Sequence, residues 1–334
     1  MSIQAVLMTR AEDLVKTVFS WLVVGLVAFV PFAVEANEVT ITDWRGASVD
    51  VTEGSVDSNG VKIVYHTVGE GPLVIFVHSI SGPWFDFRHQ MVMLSEKYRV
   101  VSMSTRGTDQ SDKPEGYEHY ASARISDDIN AIIDHFSEDK ATLIGQDSGG
   151  LHAWHFAMTN PERTERLVSL GSIHPAGLIR ELIDNADQQE ASTFQRGMQE
   201  NPEAGKQYGE RLRSRPANPD EAPELAALRK RAYESTDPES VVGFYKANWP
   251  TTPVTMDTEG FGFKIGDFPP VTAPTLFLYG KDSGPFQNPT LNNMWDYVEG
   301  PLTIHVLPGV GHGPHTQVPE IVTPRIMEWL ETGR

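Results

Sequence analysis

The sequence predicts an α/β fold: a mostly parallel, eight-stranded sheet flanked by helices, with a helical cap inserted between two parts of the sheet domain. Three observations predict it. Short continuous apolar runs recur along the chain. Stretches with apolar residues spaced three or four apart separate them. Between about residues 175 and 269 the alternation stops, and prolines break up charged, helix-forming sequence. Continuous apolar strands joined through helices belong to a parallel sheet covered on both faces.

The strands read as 65–68, 73–77, 99–103, 141–144, 167–170, 275–279 and 303–307, each rich in Val, Ile, Leu, Phe or Tyr. Helices are expected at 122–136, 150–159 and 320–331. The cap should hold helices near 204–213 and 221–235, punctuated by Pro216, Pro219, Pro223, Pro238, Pro250 and Pro253. The expected domains are therefore a core, 37–174 with 270–334, and a cap, 175–269.

Residues 1–36 form a separate segment. Arg10 and Lys16 precede the apolar run 18–30, Pro31 interrupts it, and Val34-Glu35-Ala36 offers small residues at the −3 and −1 positions of a cut after Ala36. This is the pattern of a secretory signal, so the expectation is export to the periplasm or medium. The alternative is an uncleaved anchor over 18–34 that engages a membrane, although the run is short for a span of about 20 residues. The remaining composition narrows the chemistry. A formal charge of −18 disfavours nucleic acid as a partner, and the absence of cysteine excludes disulfides, Cys-ligated zinc and a thiol nucleophile. No metal or cofactor is implied. The oligomeric state is unknown.

The chemistry concentrates in Gly145-Gln146-Asp147-Ser148-Gly149-Gly150, where a strand runs directly into a helix. A turn this tight accepts only small residues two positions either side of its centre. Gly145 and Gly149 satisfy that requirement around Asp147. Around Ser148 the flanks are Gln146 and Gly150, and Gln146 does not fit. The nucleophile is therefore a carboxylate at a helix N-terminus, where the backbone dipole favours an anion. An aspartate attacking saturated carbon leaves an ester that water can cleave. A serine would leave a stable ether. The arrangement points to epoxides or alkyl halides rather than to acyl transfer.

Partners should follow in the order nucleophile, acid, histidine. His312, framed by Gly311 and Gly313 after the last strand, is expected to be the base, with His315 the rival. Asp282, after the 275–279 strand, is expected to be the acid that orients it, since no carboxylate follows the 167–170 strand. The loop after strand 73–77 should supply one oxyanion N–H from Ile80, with Ser148 N–H as the other.

These segments resemble the epoxide hydrolase branch of the α/β-hydrolase superfamily, from about residue 58 onward. Ser104–Pro114 is similar to that family's Asp-x-Arg-Gly-x-Gly-x-Ser-Asp loop, with Ser104 in place of Asp. Phe244-Tyr245-Lys246-Ala247-Asn248-Trp249 resembles its cap motif Trp-Tyr-Arg-x-Asn-Trp. The resemblance implies that Tyr245 is one of two phenols that protonate an epoxide oxygen. Phe194 occupies the expected place of the second, and Tyr208 or His174 are substitutes. The loop His78-Ser79-Ile80-Ser81 replaces His-Gly-x-Pro, and Ser148 replaces Trp after the nucleophile. His78, Trp84, His174, Phe194 and Trp249 are expected to line the substrate pocket.

The expected function is opening of a small apolar epoxide to a diol, with water as co-substrate, through an ester on Asp147. A dehalogenase could use the same three residues. It would lack the halide-binding Trp or Arg after the nucleophile, unless Trp84 or Trp249 serves. A non-catalytic ligand-binding protein is a third reading, which the Asp147, Asp282 and His312 set opposes. A serine esterase would need Ser148 in a frame the glycines do not support.

Overall fold

The computed structural model describes residues 38–80, 82–216 and 221–333. The signal or anchor expected over residues 1–36 lies outside the described residues. Nine strands form one sheet: β1 (Glu38–Thr42), β2 (Ser48–Ser58), β3 (Val61–Val68), β4 (Leu73–Val77), β5 (Arg99–Met103), β6 (Ala141–Gln146), β7 (Thr164–Leu170), β8 (Thr275–Gly280) and β9 (Leu302–Leu307). Their order is β1-β2-β3-β5-β4-β6-β7-β8-β9. The β1/β2, β2/β3 and β3/β5 pairs are antiparallel and the rest are parallel. The sheet has one strand more than the eight expected, and two more than the seven placed in sequence. Both β1 and β2 escape a reading based on continuous apolar runs, because they pair at an edge and alternate. In β2, Val49 and Val51 are separated by Asp50, and polar residues fill most of the rest.

The central strands are apolar throughout because both faces are covered. In β4, Ile75 and Val77 face one core cluster while Val74 and Phe76 face the other, the period-two alternation of a pleated strand. Helices α1 (Arg88–Leu94) and α11 (Pro319–Thr332) cover one face. Helices α2 (Ser122–His135) and α3 (Ser148–Thr159) cover the other. Helix α2 places Ile125, Ile129, Ile132 and Ile133 on its buried side, at the spacing that keeps side chains on one stripe. The remaining helices are α4 (Pro175–Asp184), α5 (Ala186–Ala191), α6 (Thr193–Glu200), α7 (Ala204–Arg213), α8 (Pro223–Ser235), α9 (Pro238–Asn248) and α10 (Pro314–Gln317).

Helices α4 to α9 lie between β7 and β8 in sequence. Proline sits in the first turn of α4, α8 and α9, where its missing N–H costs no hydrogen bond. Two of the buried contacts between α9 and the rest of the chain fix its place. Asn248 Oδ1 accepts from Ser122 N at 2.7 Å and from Ser122 Oγ at 2.9 Å, while its Nδ2 donates to Tyr120 O at 2.9 Å. The asparagine thus caps the start of α2 from another element. The second contact is at Gly107, where a Cβ would stand 2.2 Å from Ser240 Cβ, so the loop after β5 meets α9 at a position only glycine fits. That loop is itself fixed by Arg106, which donates to both carboxylate oxygens of buried Asp128.

Candidate active site

The strand order brings four loops to the carboxyl edge of the sheet. Strands β4 and β6 are neighbours although β5 separates them in sequence, so the chain departs on opposite sides of the pair and leaves a crevice at their ends. Asp147 follows β6, and the loop from His78 follows β4. The loops after β8 and β9 deliver Ser283 and His312.

Asp147 has φ 54° and ψ −127°, a conformation that costs a non-glycine residue about 1–3 kcal/mol. The flanking glycines make it tenable. A Cβ on Gly145 would stand 2.5 Å from Gly149 O, and one on Gly149 would stand 2.1 Å from Val77 O. The strained turn projects the carboxylate off the strand end, and it keeps 25% of its side-chain surface accessible.

Each carboxylate oxygen has its own environment. Oδ1 accepts from Ser148 N at 2.5 Å and from Ser79 Oγ at 3.2 Å. Oδ2 lies 2.5 Å from His312 Nε2. Burial opposes the charge on Asp147. The His312 hydrogen bond and charge, Ser148 N–H and the Ser79 hydroxyl together outweigh burial, and the carboxyl is held below its ordinary 3.8.

Two sequence expectations need correction here. His312 Nδ1 faces Ser283 Oγ at 3.2 Å. Asp282 points outward, exposed, and its carboxylate has no partner among the described residues. The β8 strand ends at Gly280, and Asp282 N donates to Val310 O. This fixes the turn so that the next residue, Ser283, is the one turned inward. Nor does Ile80 N–H reach the carboxylate. It donates to Ser148 Oγ at 2.6 Å, a bond the small polar residue after Asp147 makes available. The hydroxyl of Ser79 stands on Oδ1 in its place.

The family-model comparison matches residues 72–315 to the α/β hydrolase fold. The chain belongs to that family. Among curated relatives, the AB hydrolase superfamily protein YfhM of Bacillus subtilis is 37% identical over 123 residues, 36% of this chain and 43% of that protein. Epoxide hydrolase 2 of Siraitia grosvenorii is 32% identical over 121 residues, 36% of this chain and 38% of that protein. The chain thus spans less than half the length of these relatives. Among solved structures, a variant of an epoxide hydrolase from Bacillus megaterium has a TM-score of 0.75 at 24% identity. The match covers 84% of this chain and 100% of that one, and it shows a shared fold.

In this α/β-hydrolase, a cavity of about 580 Å³ opens onto Asp147. Ile80, Phe194, Tyr208, Val241 and Tyr245 are among its lining residues. Tyr245 is buried on α9, and its hydroxyl has no hydrogen-bond partner among the described residues. Burial first, then the nearby Asp147 charge, raise the phenol well above 10, so it carries its proton at neutral pH. Tyr208, on α7, shares the lining, and the Phe194 ring sits beside both phenols at 6.2 and 5.8 Å.

Four expected pocket residues lie elsewhere. Trp84 is buried and stacks on His66 with ring centroids 3.7 Å apart. Trp249 packs on Tyr245 and Phe261 and lines a different surface cleft. His174 caps α4 through Nδ1, which accepts from Ala176 N, and stacks on Tyr297 at 4.6 Å. Burial pushes it down to about 3, so it stays neutral. His78 donates from Nδ1 to Ser79 O at 2.6 Å and accepts at Nε2 from Thr105 N at 3.2 Å. It holds the loop that carries Ser79. His315, the rival base, is buried against Phe87 and away from Asp147.

Proposed function

We propose that this protein is an epoxide hydrolase that works through an ester on Asp147. The observation that carries the reading is the Asp147 carboxylate at a strained elbow, one oxygen on His312 and the other on backbone and hydroxyl donors, facing a cavity that also holds an unpaired phenol. Oδ2 attacks a ring carbon and the C–O bond breaks toward oxygen. Tyr245 gives its proton to the departing alkoxide, which would otherwise be a poor leaving group. This leaves an ester whose carbonyl oxygen, Oδ1, remains on Ser148 N–H and the Ser79 hydroxyl.

In the second half-reaction His312 Nε2 takes a proton from water, and the hydroxide adds to the Asp147 carbonyl carbon. Negative charge develops on Oδ1, where two donors already point. Collapse of that intermediate breaks the ester C–O bond, and the proton left on the new carboxyl group passes to the departing oxygen, giving the diol and the Asp147 carboxylate. The His312 proton then restores the tyrosine through solvent or product.

The test is an intact-mass measurement of His312→Gln after incubation with a panel of epoxides and alkyl halides. Replacing the base blocks only ester hydrolysis, so an adduct of substrate mass on the peptide bearing Asp147 is expected with epoxides. An adduct with halides alone would reassign the substrate. An adduct on Ser148 would overturn the nucleophile.

A further inference from the structure

We propose that the cavity above Asp147 selects epoxides carrying a carboxylate remote from the ring; this rests on the ring-opening reading above and names its substrate class. The cavity is lined by Arg211 and Arg215 as well as by the nucleophile. Arg215 also lines the adjoining cleft that reaches Asp147 and His312. Among the described residues, neither guanidinium has a carboxylate partner. In a chain of net charge −18, acids are plentiful, and some other arginines find them. Arg229, in that adjoining cleft, takes both Glu221 and Asp86, and Arg106 takes Asp128.

Both side chains rest instead on aromatic rings. The Arg211 guanidinium lies 5.7 Å from the centre of the Phe194 ring. Arg215 lies 5.9 Å from the Tyr233 ring centre and donates to its hydroxyl at 3.2 Å. A guanidinium that meets a ring rather than a carboxylate keeps N–H groups for a planar anion, which it can bind through two parallel hydrogen bonds.

The competing account is that these residues serve the end of α7, whose dipole favours cations. Arg213 occupies the same turn and answers that need without lining the cavity. A second observation also points to a ligand. Gln195 lines the same cavity, is 93% buried, and its Oε1 has no hydrogen-bond partner among the described residues. A buried polar atom left without a partner is a cost that a polar ligand group can relieve. A half-turn of the terminal amide would exchange that oxygen for its NH₂ and present a donor to the same carboxylate. Among the described lining residues the one acid is Asp147, so an anionic substituent is repelled from the reacting end and drawn to the arginine end. The charge thus orients the substrate with its epoxide toward the nucleophile.

The experiment compares para-carboxystyrene oxide with its neutral carboxamide, using the full chain at low ionic strength. The carboxylate is expected to have the higher kcat/KM by about ten-fold, chiefly through KM, which corresponds to about 1.4 kcal/mol. Added salt should shrink the ratio. In Arg211→Gln/Arg215→Gln the ratio should fall to within about two-fold of unity, equivalent to less than about 0.5 kcal/mol. The same ratio is measured on the two diols as equilibrium ligands by calorimetry. Failure to consume either epoxide would count against ring opening, while unequal diol affinities would still support the carboxylate site. Equal handling of the two compounds by the native protein, or a preference that survives in the double variant, would overturn it.

Discussion

A hydroxyl beside His312 Nδ1 behaves differently from a carboxylate. Ser283 can donate to Nδ1 or accept from it, so it tolerates either neutral tautomer. While Nε2–H donates to Asp147 Oδ2, Nδ1 takes the Ser283 proton. To act as a base, the ring must instead carry its proton on Nδ1. A carboxylate would enforce that tautomer and stabilise the cation that forms. Ser283→Asp should therefore speed decay of the alkyl ester by roughly ten-fold or more. Single-turnover mass spectrometry would follow the ester directly, and decay no faster than in the parent would refute the tautomer argument. Ser79→Ala tests the other side of the carboxylate. Losing that donor should slow turnover by about ten- to a hundred-fold. It should also move the acid limb of the pH–rate profile upward, since the Ser79 hydroxyl is one of the groups holding Asp147 below 3.8. A profile with an unmoved acid limb would count against it. That Asp147 and His312 would meet was legible in the sequence because glycines and strand order mark their loops. Ser283 and Ser79 were not, since each depends on which of two adjacent residues a turn directs inward. Asp282 has the expected chemistry in the wrong register, and the nearest signal was the serine next to it.

Among the elements, α9 carries both the unpaired phenol and the asparagine that fastens it to α2. Asn248 is buried and makes four bonds, including one from Nδ2 to Phe244 O at 2.8 Å. Asn248→Ala would strand the Ser122 N–H at the start of α2 and the Tyr120 carbonyl. A loss of about 2–4 kcal/mol in urea unfolding is expected, together with a raised KM as Tyr245 loses its fixed position. Unchanged stability would mean that water replaces the side chain. The elements themselves were readable to different degrees. Strands buried on both faces, such as β4 and β6, show as apolar runs, and the proline-led helices of the inserted region show as breaks. Strands β1 and β2 were missed because an antiparallel edge needs only every second residue apolar. The pocket was missed more widely. Trp84, Trp249 and His174 have the composition of a substrate lining, but their rings are consumed by packing on His66, Phe261 and Tyr297. Composition cannot distinguish an aromatic that faces a ligand from one that faces another ring.

At the scale of the whole molecule, the fold stores a response to acid. His152, His174 and His315 are pushed down to about 3 and His89 and His155 to about 4. Burial is the leading cause in each case. Each is therefore neutral in the folded chain, while the unfolded chain titrates near 6.5. Below that pH the unfolded state binds protons that the native state refuses, so stability falls as pH falls, and it continues to fall until the folded values are reached. Within that window each histidine contributes about 1.4 kcal/mol per pH unit, and five together rival the roughly 5–15 kcal/mol that holds a domain folded. Relief of repulsion among the excess acids does not compensate, because most carboxylates protonate near 4, below much of the histidine window. The depressed Asp147 acts in the same direction, with stability lost only as pH drops through its folded value below 3.8. Calorimetric melting should give nearly constant Tm from about pH 8 to pH 7. A drop of about 10 °C or more should follow between about pH 6 and pH 5, since each kcal/mol moves Tm by about 2–4 °C in a domain of this size. A Tm that holds steady to pH 5 would mean that the imidazoles find protons or water inside the fold, and that their burial is not what sets its acid limit.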